Sequence, residues 1–221
     1  MRDLQTWTKR KSPETTTLVG RYVTLAPLSI SRHADDIFEE TLSADLWTYL
    51  PDQFPQTRND FDDWFAALLE RENFVFYAIV NNETMRPEGL FALMRTDAAN
   101  GSTEVGCVVF GPKLSRSRKA TEAIYLLMKY VFETLDYRRF EWKCDNQNEP
   151  SKAAALRFGF QYEGLFRQHL VVKGKNRDTA WFSIIDSEWP ELKHIYEAWL
   201  EPSNFNSEGQ QKKRLQEMHR S

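Results

Sequence analysis

The order of strands and helices in the middle of the chain restricts the fold more than any other feature of the sequence. Apolar segments at 74–82, 88–97 and 102–111 are separated by short turns, so they predict three antiparallel strands. A helical pattern at 121–135 then leads to an alternating segment at 138–145. Because a strand reached through a crossover helix lies roughly parallel to the strand before it, the sequence predicts one mixed sheet.

The predicted fold is α/β (α+β), with a mixed, mainly antiparallel sheet flanked by helices. The remaining predicted elements are a strand at 20–28, a hairpin at 160–185 and helices at 31–43, 57–72, 148–159 and 187–200. The chain shows no internal repeat and no linker long enough to separate two domains. We expect a polar N-terminal arm (1–17), one domain (18–187), a helix packed on that domain (188–200) and a polar, flexible tail (201–221).

Composition and charge exclude several classes of protein. Aromatic residues make up 14% of the 221 residues, whereas disordered chains are poor in them. The net charge of -3 argues against nucleic acid as a partner, since such proteins usually carry a strongly basic face. Two cysteines, Cys107 and Cys144, are too few for a disulfide framework. With no apolar run near the roughly 18 residues of a membrane span and no signal-peptide core, we expect a cytoplasmic protein without membrane contact.

A basic loop precedes the helix that starts near residue 120. The stretch 112–123 is PKLSRSRKATEA and contains Lys113, Arg116, Arg118 and Lys119. A helix N-terminus offers free backbone N–H groups and the positive end of the helix dipole. A strand, a basic loop and a helix together therefore form a suitable anion site. A solvated basic loop without a ligand is the alternative interpretation.

A second polar motif lies in DNQNEPSKAAALRFGF, at 145–160. Asn148 and Ser151 can cap the helix that follows, which is the usual role of these residue types at a helix start, or they can contact a ligand. The run from Ala153 to Ala155 forms a small-residue face. It lets a flat or backbone-like group lie against the helix, or it permits close packing on the sheet.

Two acidic residues occupy positions that predict low exposure. Glu104 lies in an otherwise apolar strand just before Gly106, and Glu122 lies in the first turn of the helix after the basic loop. A carboxylate shielded from water can act as a general base. Glu122 is also explained as an acid that is favourably placed at a helix N-terminus. Glu104 is also explained if its strand lies at the edge of the sheet, where water solvates the carboxylate. Gly106 predicts a bulge or a close backbone approach, while the four histidines lack metal-ligand spacing.

Together these motifs resemble the GNAT superfamily of acyl-CoA-dependent N-acetyltransferases, and within it the branch of RimJ/RimL-type ribosomal-protein N-terminal acetyltransferases. The resemblance covers roughly residues 19–187 and is carried by EVGCVVFGP, the helix start ATEA, RRFEWKCDNQNEPS and FGFQYEGLFRQH. It implies a sheet that splays open between its fourth and fifth predicted strands, 102–111 and 138–145. Acetyl-CoA would enter this gap as the co-substrate, and no metal is implied.

The resemblance also implies roles for individual residues. The pantetheine arm would pair with the backbone of Val108, Val109 and Phe110, and the N–H near Val109 would hold the oxyanion. Glu104 would be the general base, acting through water, and Ser151 would protonate the leaving thiolate. The residues implied to contact the co-substrate are Val108, Val109, Phe110, Ser115, Arg116, Ser117, Arg118, Lys119, Ala120, Thr121, Asn148 and Ser151.

Two positions depart from the family pattern. The phosphate loop of the family follows a pattern such as Q/R-x-x-G-x-G/A, but here Arg118 occupies the first glycine position. Many relatives carry a tyrosine acid on the second helix, where this chain has Ala155. Ser151 is then the positioned candidate for the acid, with water as the alternative.

The implied acceptor is a primary amine, which includes a small amine, an amino sugar, an aminoacyl compound or a protein N-terminus. The aromatic connection 47–54 and the hairpin 165–180 would build its pocket, although Trp47, Tyr49 and Phe54 fit a core role equally well. A CoA-binding or ligand-sensing module without turnover is the main alternative. A weaker one is nucleic-acid binding through the basic loop and the tail sequence QQKKR. The terminal helix is compatible with a monomer or a homodimer.

Overall fold

One sheet of eight strands forms the centre of the protein in the computed structural model, which describes residues 4–219. The strands are β1 (Leu18–Val19), β2 (Val23–Pro27), β3 (Val75–Asn81), β4 (Pro87–Asp97), β5 (Ser102–Phe110), β6 (Arg139–Asp145), β7 (Gln161–Val172) and β8 (Lys175–Ile185). They lie in the order β1-β2-β3-β4-β5-β6-β8-β7. The β5–β6 pair is parallel and the other neighbours are antiparallel. The predicted α/β (α+β) fold with a mixed, mainly antiparallel sheet is confirmed.

Helices cover both faces of this sheet. They are α1 (Ile30–Glu40), α2 (Arg58–Leu69), α3 (Arg118–Lys129), α4 (Glu149–Arg157), α5 (Trp189–Leu200) and the short α6 (Leu215–Met218). A π-helical turn, Tyr130–Thr134, extends α3. Within residues 4–219, no helix has the length and apolar character needed to cross a membrane.

Alternation along the central strands places apolar side chains on both faces of the sheet. Tyr77 and Ile79 of β3 pack in the cluster that includes α3 and α5, while Phe76 and Ala78 pack in the cluster that includes α1 and α2. Successive side chains of a strand point to opposite faces, so a strand covered on both sides is apolar throughout. The sheet is therefore the middle layer of three.

Glu122 fastens α3 to the turn between β1 and β2. Its buried carboxylate accepts hydrogen bonds from the backbone N–H groups of Arg21 (2.8 Å), Tyr22 (2.6 Å) and Val23 (2.8 Å). A Cβ at Gly20 would lie 2.6 Å from the carboxyl carbon of Glu122, so this close approach requires glycine. Glu122 therefore supports the fold, a role that its interpretations as a base or as an N-terminal acid did not include.

The segment after α5 differs from the flexible tail that its polar composition predicts. It folds back on α5, where the Trp199 indole donates to the carbonyl of Lys213 at 3.1 Å. The side-chain amide of Asn204 donates to the carbonyl of Trp199 at 3.0 Å, and Leu215 is fully buried. Isolated apolar anchors such as Phe205 and Leu215 hold a segment whose average composition is polar. Residues 220–221 of the predicted tail lie outside the described residues.

The N-terminal arm also contacts the domain. The indole of Trp7 donates to the carbonyl of Ala99 at 2.7 Å, and the Arg10 guanidinium pairs with Asp136 at 2.8 Å. The hydroxyl of Tyr137 donates to the carbonyl of residue 11 at 2.9 Å. In the described part of the chain the arm thus contacts the β4–β5 turn and the segment that precedes β6, and residues 1–3 of the predicted arm lie outside the described residues.

Candidate active site

The gap between β5 and β6 is the feature that positions the site. The two strands pair only from Ser102 and Arg139 to Val105 and Trp142. Beyond that point β5 stays paired with β4 as far as Phe110, and β6 stays paired with β8 to its last residue. The two strands therefore diverge, and one backbone edge of β5 faces the gap instead of β6. The predicted splay is confirmed, and such an edge can pair with an extended ligand.

A bulge in β5 lies at the start of this gap. Ala92 of β4 pairs with Gly106 and Leu90 pairs with Val109, so β5 contains one extra residue. Cys107, within the bulge, has a left-handed backbone conformation with a φ of 51°. A Cβ at Gly106 would lie 2.2 Å from the sulfur of Met94, so any larger residue there requires the Met94 side chain to move. The bulge predicted near Gly106 is confirmed.

A cavity of about 530 Å³, the β5–β6 cavity, opens at this gap. Val108 and Val109 line it together with Asn148 and Ser151 of the α4 start and Glu104. Its outer wall contains Tyr49, which the sequence analysis placed in an aromatic pocket. Trp47 and Phe54 are not among the residues that line the cavity, since the buried Trp47 packs edge-on against Trp64 at 4.7 Å.

Glu104 is held by two cations in the wall of the β5–β6 cavity. Its carboxylate is 3.0 Å from the guanidinium of Arg95 and 3.0 Å from the ammonium of Lys143. Lys143 is only 5% exposed, and it also contacts Glu141 at 2.7 Å and the face of Trp181 at 3.6 Å. The two cations occupy lone pairs that a base would use to accept a proton. The sequence analysis identified Glu104 but missed both of its partners.

Asn148 and Ser151 lie where the motif predicts, and both also serve the helix. The side-chain oxygen of Asn148 accepts from the N–H of Ser151 at 3.1 Å, so Asn148 is the N-cap of α4. The indole of Trp142 donates to the Ser151 hydroxyl at 3.0 Å. This leaves the hydroxyl proton of Ser151 free to be donated, either to the cavity or to the Cys144 sulfur. Burial raises the pKa of Cys144, and a hydrogen bond with Ser151 opposes that shift.

The four cationic side chains of the basic loop do not converge on a single anion site. Lys113 pairs with Glu40, and Lys119 pairs with the buried Glu88. The guanidinium of Arg118 stacks on Tyr22, 4.4 Å from the ring centre. For Arg116, the described residues provide no ion pair. Three of the four cationic side chains therefore already have a partner within the protein, which the sequence did not indicate.

The backbone of this loop explains how the chain manages without the family glycine. Arg118 is the first residue of α3 and is preceded by the N-cap Ser117, whose hydroxyl accepts from the N–H of Ala120 at 3.2 Å. The left-handed residue is instead Arg116, with a φ of 58°. A helical residue needs no glycine, so arginine is tolerated at 118. Thr121 is fully buried, and its hydroxyl accepts from Arg157 at 2.9 Å.

A second cavity of about 1050 Å³, the α3–α4 cavity, adjoins this loop. Residues 115–120 line it, as does Phe110, whereas Thr121 does not. Pro150 in the first turn of α4 lines both cavities. Because β5 contributes Val108 and Val109 to one cavity and Phe110 to the other, the two cavities flank the β5–β6 gap. The loop predicted to bind phosphate thus lines the cavity on one side of the gap, and Tyr49 of the predicted acceptor region lines the cavity on the other side.

A family model for the acetyltransferase (GNAT) domain matches residues 23–161. The chain belongs to the GNAT acetyltransferase family. A GCN5-related N-acetyltransferase from Brucella melitensis has 49% sequence identity and a TM-score of 0.96, over 99% of this chain and 100% of that one. The SPbeta prophage-derived uncharacterized N-acetyltransferase YokL of Bacillus subtilis is 27% identical and covers 64% of this chain and 77% of its own length. This GNAT protein is therefore an acetyl-CoA-dependent N-acetyltransferase.

The RimJ/RimL branch is represented among proteins of similar fold. The ribosomal-protein-S5-alanine acetyltransferase from Vibrio fischeri has a TM-score of 0.62 and 15% identity, over 79% of this chain and 98% of that one. At this identity the likeness concerns the fold alone.

The sequence analysis missed Arg157, which lines the α3–α4 cavity. Its half-buried guanidinium donates to Thr121 and lies 5.2 Å from the ring centre of Trp199. Burial lowers the pKa of Arg157, so the charged form would gain from a nearby anion. The sequence could have indicated this position. Arg157 follows Ala153 by four residues, and residues four apart lie on the same face of a helix.

Both cysteines of this GNAT chain are free thiols. Cys107 lines the β5–β6 cavity, and burial raises its pKa to about 11 despite the opposing charge of Arg71. A thiol with such a pKa is protonated at neutral pH and is a weak nucleophile. Within residues 4–219, no group of three or more His, Cys, Asp or Glu residues could hold a metal ion.

Proposed function

We propose that this GNAT enzyme transfers the acetyl group of acetyl-CoA directly to a primary amine bound in the β5–β6 cavity. The acceptor is a small amine, an amino sugar, an aminoacyl compound or a protein N-terminus. The observation that carries this proposal is the unpaired edge of β5, which lies between one cavity beside a basic loop and another lined by aromatic and acidic residues. We assign the catalytic domain to residues 18–187.

Acetyl-CoA would extend from the α3–α4 cavity through the gap. Its pyrophosphate would lie at the loop of residues 115–120, where the first N–H groups of α3 and the helix dipole favour an anion. Its pantetheine arm would add a short strand beside Val108, Val109 and Phe110. The side-chain NH₂ of Asn148, with no described partner in residues 4–219, would donate to this arm. The thioester would then lie at the β5–β6 cavity.

The chemistry needs an unprotonated amine, an oxyanion site and an acid. The amine nitrogen would attack the thioester carbonyl, and a backbone N–H near Val109 would stabilise the oxygen that becomes negative. Glu104 would receive the amine proton through a water molecule, because Arg95 and Lys143 occupy direct approaches to its carboxylate. The C–S bond would then break, and Ser151 would donate its proton to the CoA thiolate. Trp142 would orient Ser151 for this step.

Release of free thiol from acetyl-CoA tests this proposal. We expect release with at least one member of an amine panel drawn from the four acceptor classes. Glu104→Gln should lower kcat at neutral pH by about 10²–10⁴-fold, the usual contribution of a general base. Glu141→Gln is the matched control, because Glu141 shares Lys143 with Glu104 but does not line the cavity.

The control separates catalysis from support of Lys143. If Glu104→Gln and Glu141→Gln reduce kcat equally, Glu104 only holds the lysine and the proposed base is wrong. If CoA binds but no amine in the panel releases thiol, the proposed transfer to these four acceptor classes is wrong. Ser151→Ala should also lower kcat, because it removes the proposed proton donor.

A further inference from the structure

The α3–α4 cavity has one wall that lies outside the region matched by the family model. Residues 115–120 and the α4 residues Pro150, Ala153 and Ala154 form two of its sides. The remaining wall comes from the C-terminal segment, between residues 209 and 217. The family match ends at residue 161, so this wall lies C-terminal to the matched region.

This wall is firmly anchored. Phe205 pairs with Gln211 through an isolated β-bridge and packs edge-on against Trp199 at 5.1 Å. The N–H of Lys212 donates to the carbonyl of Asn204 at 2.7 Å, and the N–H of Lys213 donates to the Asn204 side chain at 3.0 Å. The backbone of the segment is therefore held in place beside the cavity, so a ligand need not order this backbone when it binds.

The cavity is strongly cationic. Of its basic residues, Lys119 pairs with Glu88. For the others, residues 4–219 provide no described carboxylate ion pair; they are Arg116, Arg118, Arg157, Lys212 and Arg214. The acidic residue in the described lining is Glu217, whose carboxylate accepts from the N–H of Arg214 at 3.0 Å. Several cations that share one cavity repel one another, and a polyanion relieves this repulsion.

The shape of the cavity suits a nucleotide. Its volume of about 1050 Å³ is at the upper end of the range for small-molecule sites. Ala153 and Ala154 give α4 a flat face in the cavity, on which a purine ring can lie. Arg157 is bonded to Thr121 in the first turn of α3 and so lies on the pyrophosphate side. Lys212 and Arg214 lie on the opposite, C-terminal wall.

We propose that Lys212 and Arg214 form a second phosphate subsite, which binds the 3′-phosphate of the CoA nucleotide. This inference rests on acetyl-CoA as the co-substrate of the proposed function. The motif QQKKR then serves a phosphate monoester and not a nucleic acid. Lys212 and Arg214 are exposed and line the cavity, while Lys213 between them is not among its lining residues. The ammonium of Lys212 donates to the carbonyl of Ser203 at 2.8 Å.

The comparison of CoA with 3′-dephospho-CoA tests the subsite, because the two compounds differ only in the phosphate. Calorimetric titration should give a dissociation constant for dephospho-CoA at least about tenfold higher than that for CoA. The double variant Lys212→Gln/Arg214→Gln should weaken CoA binding by about tenfold and change dephospho-CoA binding by less than about twofold. Lys213→Gln is the matched control and should keep the full discrimination.

Three results would contradict the assignment in different ways. Equal affinity of the unsubstituted protein for CoA and dephospho-CoA would show that no subsite binds the 3′-phosphate. Equal losses of affinity for both compounds in the double variant would place the two cations on the pyrophosphate, and the 3′-phosphate assignment would be wrong. Failure of the unsubstituted protein to bind either compound would overturn the proposed function together with this inference. The exposed positions of the substitutions should leave the unliganded Tm within about 1 °C.

Discussion

Substitution of Glu122 by glutamine tests how far one side chain supports the sheet. The Glu122 carboxylate is only 4% exposed and accepts three backbone hydrogen bonds from Arg21, Tyr22 and Val23. Tyr22 and Val23 both donate to one oxygen, and Arg21 donates to the other. Glutamine keeps one oxygen and replaces the second by an NH₂ group. At least one N–H must then face another donor in a buried site.

The magnitude follows from these contacts. Hydrogen bonds to charged groups contribute about 1.5–3 kcal/mol each, and a buried donor without an acceptor costs about 1–3 kcal/mol. Glutamine needs no desolvation of a charge, which offsets part of this loss. We expect Glu122→Gln to lower the free energy of unfolding by about 3 kcal/mol. For a chain of this length the Tm should fall by about 6–12 °C.

Thermal unfolding followed by circular dichroism provides the measurement. Glu149→Gln is the control, because the Glu149 side chain is 76% exposed and pairs with Lys152 on the surface. Exposed pairs contribute about 0–1 kcal/mol, so this variant should melt within about 3 °C of the unsubstituted protein. The reasoning fails if Glu122→Gln melts as close to the unsubstituted protein as this control does. Glu122 lines neither cavity, so kcat should be unchanged below the melting range.

Three further predictions concern other parts of the structure. The pKa of Cys107 is raised from 9.0 to about 11. Cys107 should therefore react with iodoacetamide about 100-fold more slowly at pH 8 than an ordinary thiol, and its rate should rise about tenfold per pH unit up to pH 10. A rate that does not change with pH would contradict the raised pKa. Gly89→Ala would place a Cβ 2.5 Å from the Val109 carbonyl oxygen and should destabilise the protein by about 1–3 kcal/mol in urea unfolding, whereas Gly164→Ala, with no atom within 4 Å, should have little effect. Leu215→Ala should make residues 205–217 accessible to limited proteolysis and weaken CoA binding, since its fully buried side chain anchors that segment; an unchanged digestion pattern would argue against the anchor.

Local pattern predicted most of the fold. Turn signals such as Asn100-Gly101, with Gly101 at a φ of 64°, and the change from strands to a crossover helix determine the neighbours in the sheet. Gly106 predicted the bulge because glycine inside a strand indicates a close approach. These features depend on a few adjacent residues, and adjacent residues are what a sequence displays directly.

Contacts between distant segments could not be predicted in the same way. Glu122 meets the β1–β2 turn across 100 residues of sequence, and Lys143 meets Glu104 only because β5 and β6 are neighbours. The polar composition after residue 200 concealed Leu215, whose burial depends on α5. The basic loop was predicted to concentrate charge, but Lys119 turns to Glu88 because that acid is buried beside it.

The divergence of β5 from β6 has a consequence for how the molecule responds to its own substrate. Four residue pairs join β5 to β6. The sheet therefore consists of two halves, β1 to β5 and β6 to β8, that are joined by a short stretch of strand pairing, the seam. A co-substrate that pairs along the open edge extends this seam, and its binding energy adds to the stability of the folded chain. At a ligand concentration 100 times the Kd this addition is about 2.7 kcal/mol. We therefore expect the lifetime of the enzyme against unfolding and proteolysis to increase with the acetyl-CoA concentration around it, and slower amide exchange in residues 106–110 on CoA binding would report this effect.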